Sequence, residues 1–232
     1  MKCLLSVSLA TLAVAANFAL SDPGQSPELQ KGVSVKMAVT SSATAMPEAD
    51  NNNAWVVTIT QDGKLFFGTH SVTVDSLAEE MKVTPRNRDQ NLYIKADART
   101  RFANVERVLE AGREVAFDKP VLLTAQPVPS APGTMVPPNG LQVLADPALP
   151  AGRVATVVEL FNSGQQQPSL RVNGDEISGS ALEATLVQHF RKGDEKLILL
   201  KVDARLSFAQ VVQVIDLCRA TGAEVAIGEP TV

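Results

Sequence analysis

Hydrophobic residues fall in two registers along this chain, and the switches between them predict its elements. From Trp55 to Thr60 the pattern alternates and is rich in β-branched residues, which predicts a strand. The run meets Gln61-Asp62-Gly63-Lys64 and resumes as Leu65-Phe66-Phe67-Gly68. An Asp-Gly between two apolar runs is a hairpin signal. From Thr73 to Met81 the spacing becomes helical: Val74, Leu77, Ala78 and Met81 share a face, and Thr73 or Asp75 can cap the start. Leu92–Ala96 reads as a strand. Phe102, Val105, Val108, Leu109 and Val115 then trace a longer amphipathic helix, with Glu106, Arg107, Glu110 and Arg113 on its outer side. Pro120–Thr124 closes the unit as a last strand.

The same order returns further on: Val154–Phe161, a Ser163-Gly164 turn, Ser169–Val172, a helix over about Ser178–Phe190, Leu197–Val202, a helix over Phe208–Thr221, and Glu224–Ile227. The two halves also share words. Lys95-Ala96-Asp97-Ala98-Arg99 with Phe102-Ala103-Asn104-Val105 matches Lys201-Val202-Asp203-Ala204-Arg205 with Phe208-Ala209-Gln210-Val211, 106 positions on. Identity and spacing together mean that one module occurs twice. The predicted class is α/β (α+β): two tandem ββαβαβ modules, each a small mixed sheet with two helices on one face. Residues 54–125 form the first and 141–232 the second. A function carried by a duplicated small module disfavours an enzyme with one asymmetric active site.

Between the modules, residues 126–140 hold a proline-rich stretch that reads as a semi-rigid spacer. The short run Leu141-Gln142-Val143-Leu144 suits an extra edge strand on the second module. Residues 21–53 have the Ser, Thr, Ala, Pro and Asn composition of a linker. Residues 1–20 begin with one Lys, continue as an apolar run and carry Ala13-Val14-Ala15 and Asn17-Phe18-Ala19 as cleavage sites. A cleaved secretory signal fits, and so does a retained anchor, although Ser6, Ser8, Thr11 and Asn17 interrupt a run already short for a span. Either way the bulk of the chain lies outside the cytoplasm.

Composition narrows the chemistry. Aromatic residues are 4%, so the cores are aliphatic, and the net charge of −4 has both signs interspersed. No basic stripe marks a nucleic-acid surface. Cys3 lies in the leader, leaving Cys218 alone in the folded part and best protected by burial on a helix. Asp97 and Asp203, each two residues from an Arg, read as turn residues accepting backbone N–H groups before a helix, with a partner-binding or catalytic carboxylate pair as the rival. Phe102 and Phe208 read as core anchors. His70 and His189 are not equivalent in the repeats, and too few further ligands stand in register for a metal site or a catalytic base. No phosphate loop and no nucleophile elbow is present. The sequence therefore predicts no catalytic, cofactor-binding or metal residues, no cofactor, and contact with partners by strand addition at a sheet edge, either to a peptide or to a second copy.

Four segments carry a family resemblance. They are Leu29-Gln30-Lys31-Gly32-Val33-Ser34-Val35; the hairpin residues Val56, Thr58, Ile59 and Gln61-Asp62-Gly63-Lys64-Leu65-Phe66; Val72-Thr73-Val74-Asp75-Ser76-Leu77; and Tyr93-Ile94-Lys95-Ala96-Asp97 with Phe102. In this order they resemble the periplasmic domain of the ExbD/TolR family, the smaller subunit of proton-driven inner-membrane motors. The likeness covers 29–125 well and 154–229 more loosely, and the family usually has Tyr where Phe102 and Phe208 stand. It implies a non-enzymatic part in biopolymer transport or outer-membrane energisation. The implied partners are proteins, a membrane motor subunit or a TonB-like protein among them, with homo-oligomers as a further expectation. The implied place is the inner membrane facing the periplasm, or the soluble periplasm if the leader is cleaved. One departure matters. The family's membrane helix carries Thr-Pro-x-x-Asp, whereas residues 4–20 contain no Asp, Glu, Lys, Arg or His, and Asp22 lacks the Thr-Pro before it. An ionisable group within a span is costly and usually functional, so its lack removes the expected proton site. The alternative reading is a secreted tandem module that binds a peptide or cell-wall ligand.

Overall fold

The computed structural model describes residues 31–85, 91–127, 136–145, 155–190 and 196–228. Through the first module the chain runs β1 (Thr44–Ala45), a 3-10 turn (Pro47–Asp50), β2 (Trp55–Ile59), β3 (Leu65–Phe67), β4 (His70–Val72), α1 (Val74–Val83), β5 (Leu92–Ala96), α2 (Phe102–Glu114), β6 (Val121–Thr124) and β7 (Asn139–Gln142). The second holds β8 (Thr156–Phe161), β9 (Ser169–Val172), β10 (Asp175–Ile177), a 3-10 turn (Gly179–Ala181), α3 (Leu182–His189), β11 (Leu197–Val202), α4 (Phe208–Ala220) and β12 (Glu224–Ile227). Two mixed sheets result, ordered β1-β7-β6-β5-β2-β3-β4 and β10-β9-β8-β11-β12. This is the expected α+β duplication, with one short strand added after each hairpin. Both crossovers in each module join parallel neighbours: β2 to β5 to β6, and β8 to β11 to β12.

Local chemistry places these elements. The Asp-Gly hairpin closes as expected: Thr60 N donates to the Lys64 carbonyl at 3.0 Å, and Gly63 takes the positive φ that the turn needs. Thr73 caps α1 in a reciprocal box with Ser76. On the inner face of the first sheet, Val57, Ile59, Ile94 and Leu122 pack against Leu77 of α1 and Phe102 and Val105 of α2. Its outer face is also covered: Val56, Tyr93, Val121 and Leu123 meet Met37, Met46, Ala49 and Ala54. With both faces buried, β2 and β5 are buried at every position, as expected of parallel strands between two layers.

The covering layer comes from residues 31–54, whose composition reads as a linker. Val39 bridges Ala125 in parallel, with Ala125 N donating to the Ala38 carbonyl at 2.8 Å. The Thr40 and Thr124 hydroxyls meet at 2.5 Å. The run Leu141–Leu144 does not form an edge strand of the second sheet alone. Residues 139–142 pair with β6 and β1 in the first sheet, burying Leu141, and only Leu144 reaches β12. Gly140 is required in that position, because a Cβ there would stand 2.5 Å from Val121 Cγ1 and 2.6 Å from Met46 Cγ.

Candidate interaction site at the module seam

The repeated motif lands at one place, where the two modules meet. β5 ends at Ala96 and β11 at Val202, and the following Asp turns each chain into its helix. Asp97 Oδ1 accepts from Arg99 N at 3.0 Å and Nε at 2.8 Å, while Oδ2 accepts from Nη2 at 2.8 Å. Asp203 repeats this with Arg205 at 3.0, 2.9 and 2.6 Å. A further backbone donor completes each carboxylate, Lys36 N at 3.2 Å for Asp97 and Asn162 N at 3.3 Å for Asp203. The guanidinium bonds hold both carboxyls down to about 2. Carboxylates this fully engaged are weak bases, so the turn reading fits the geometry better than catalysis.

Each turn then reaches across. Phe102 N donates to the Leu206 carbonyl and Phe208 N to the Thr100 carbonyl, both at 2.8 Å. Ala103 N donates to Ala204 O at 3.1 Å and Ala209 N to Ala98 O at 3.0 Å. The first N–H groups of a helix have no partner within it. Here the first two of α2 and of α4 are satisfied by the other module, so each module caps its neighbour's helix. The four bonds relate equivalent residues in both directions, the pattern of an isologous two-fold contact within one chain. Arg101 and Ser207 form a bridge between the same turns. Phe102 and Phe208 are fully buried, as expected of anchors, and one hydrophobic core runs through both modules.

A second tie was not legible beforehand. Asp216, buried on α4, accepts from Ser41 N at 2.8 Å and from Ser42 N at 3.0 Å. Lys36 O accepts from Ala98 N at 2.7 Å. The strap from 36 to 42 is thus fastened to both modules at their junction. An acid four residues after Val212, inside the apolar run of α4, was the available signal.

The remaining candidates stay apart. His70 opens the edge strand β4 and His189 ends α3, in different modules and both exposed. Two open grooves of about 410 and 680 Å³ lie side by side on the first module, sharing Asn52, Asn53 and Ala54. Trp55 lines the larger groove but is itself buried, edge-on to Phe67 at 5.3 Å, so it offers no open stacking face. Lys95 is buried in the outer layer, its Nζ donating to the Lys31 carbonyl at 3.3 Å, and burial lowers its pKa. Cys218 lies buried in α4, and burial pushes its thiol up to about 12. Among the described residues, no three His, Cys, Asp or Glu side chains converge as a metal site. Sheet edges are short: β1 has two residues, β4 and β10 three each, and β12 is bridged by Leu144.

The fold class is a duplicated α+β module packed on its own copy through strand-to-helix turns. The profile of the family described as biopolymer transport protein ExbD/TolR matches residues 10–126 and again 135–228. The chain belongs to the ExbD/TolR family, and the two matches fall on its two modules. Membership makes it a biopolymer-transport component of a cell-envelope family that works with protein partners. No curated protein and no solved structure matches the chain. No helix among the described residues is long and apolar enough to cross a membrane, and residues 1–20 lie outside them.

Proposed function

We propose that this chain is a non-enzymatic ExbD/TolR-like component of a biopolymer-transport or outer-membrane energisation system. It acts in the periplasm through protein–protein contacts, anchored by residues 1–20. The observation that carries this reading is the double family match, whose first stretch starts inside the apolar leader at residue 10. The chain does not relay protons by an intramembrane carboxylate, because residues 4–20 hold no ionisable side chain. Proton transfer is then left to another subunit.

The seam supports a structural part for the duplication. One chain supplies two modules already paired, so it presents partners with a fixed two-module surface. Short edge strands limit strand addition to a few residues, which favours partners that contact side-chain surfaces, a membrane motor subunit or a TonB-like protein among them. Ala13-Val14-Ala15 and the polar interruptions of the leader favour the second reading, a released periplasmic module that binds a peptide or cell-wall ligand.

The test is the N-terminal mass of the protein from fractionated cells at native expression. An intact Met1 in the inner-membrane fraction, with motor subunits co-purifying, is the expected result. A new N-terminus near Ala16 or Leu20 in the soluble periplasm overturns the anchored reading in favour of the free module.

A further inference from the structure

Glu106 breaks the two-fold symmetry of the seam. It sits one turn into α2 after Phe102, whose N–H crosses to the second module. In repeat register its counterpart on α4 is Val212, apolar and fully buried. The helical pattern puts Glu106 on the outer face. In the structure it is half-buried instead, and its Oε1 is buried with no hydrogen-bond partner among the described residues.

The charges around it offer little compensation. From the second module comes Asp203, ionised and clamped by Arg205. From its own helix comes Glu110, which lies 3.6 Å from Arg113. On α4, Asp216 is engaged by Ser41 and Ser42, and Arg219 donates to the Ala223 carbonyl. On the far flank, α1 carries Asp75, Glu80 and the paired Glu79 and Lys82. A buried carboxyl oxygen with two carboxylates nearby favours the neutral acid. Burial first, then Glu110 and Asp203, push its pKa up to about 7.

We propose that Glu106 makes the module seam pH-sensitive, tightest when its carboxyl holds a proton and loosened when it ionises. The sign follows from linkage. A carboxyl whose pKa is raised on folding binds its proton more tightly in the closed form, so its contribution is full below about 4.5 and is lost as pH rises towards about 7. This does not depend on the proposed transport role, since it concerns only how the two modules hold together.

Amide hydrogen exchange on the full-length chain tests it, between about pH 5 and about pH 8 and corrected for intrinsic exchange. The readout is the seam amides Phe102, Ala103, Phe208 and Ala209, with Ile94 in β5 as internal reference. Relative protection of the seam should fall roughly tenfold across this range in the parent chain, a figure reduced because Glu106 is only half-buried. Glu106→Gln should flatten the profile. Glu106→Val, the residue of the other repeat, should keep the acid level throughout and stands in if the Gln variant folds poorly. A flat profile in the parent, or an unchanged slope in the variants, overturns the proposal.

Discussion

The two modules share a motif yet hold it in different ways. Helix α4 carries its own caps at both ends, besides the two bonds it receives from the first module. Ser207 and Gln210 form a reciprocal capping box, and Gly222 takes the left-handed turn at φ +77°. At the equivalent places α2 has Arg101, which makes no side-chain cap, and Ala116, forced to φ +60°. The outer faces differ as well. Val56 and Tyr93 of the first sheet lie under the layer from residues 31–54, whereas their counterparts Val157 and Leu199 stay half-exposed. The first module thus leans on tertiary contacts where the second uses local sequence. The two modules complete each other: small modules bury modest cores, and the weaker-capped one is completed by the strap, by β7 and by the seam.

The largest way to break that pairing is at its anchors. Phe102→Ala and Phe208→Ala should each cost about 3–5 kcal/mol. Because Trp55 is the only tryptophan and sits in the first module, Phe208→Ala should still shift the urea transition seen by its fluorescence. A transition left in place would mean that the modules unfold separately. Next comes the strap. Asp216→Ala leaves the Ser41 and Ser42 N–H groups without their acceptor, should cost about 1–3 kcal/mol, and should raise exchange at those two amides. The turns give a smaller, pH-dependent effect. Asp97 and Asp203 are held near 2 against an ordinary 3.8, so their contribution is present above about pH 4 and is lost as pH falls towards 2. Each should be worth up to about 1 kcal/mol once the exposed Arg99 and Arg205 are discounted, and Asp203→Asn should flatten half of the acid slope in a thermal melt. The smallest expected effect is at the end of α2. Ala116→Gly imports the second module's solution and should stabilise the chain by about 1 kcal/mol by relieving the left-handed backbone. A loss of stability in that variant would show that Ala116 is not strained.

Much of this architecture was readable in advance because it rests on period and repetition. The Asp97 and Asp203 motif, the 3.6-residue stripe of Phe102, Val105 and Leu109, and the Asp62-Gly63 turn each state their own geometry. Other features have no such signal. The three-residue strands β4 and β10 are too short to show a period of two, and Asp175 and Glu176 do not read as strand residues. The strap binds through backbone N–H groups of Ser41 and Ser42 and the carbonyl of Lys36, which composition does not reveal, so the segment resembled a linker. Glu106 looked outward because helical periodicity reports the module's own core and not the copy packed against its flank. The seam was legible only as a repeated motif, since which repeated residues touch each other depends on how the two modules dock.

The claim most exposed to test is that the two repeats form one unit through their strand-to-helix turns. A protease site placed between residues 146 and 154 of the full-length chain, cut to completion, leaves the modules joined only by non-covalent contacts. Size-exclusion chromatography should then return a single species at the volume of the uncut chain, separating only in denaturant. Two folded fragments eluting apart under native conditions would contradict the account.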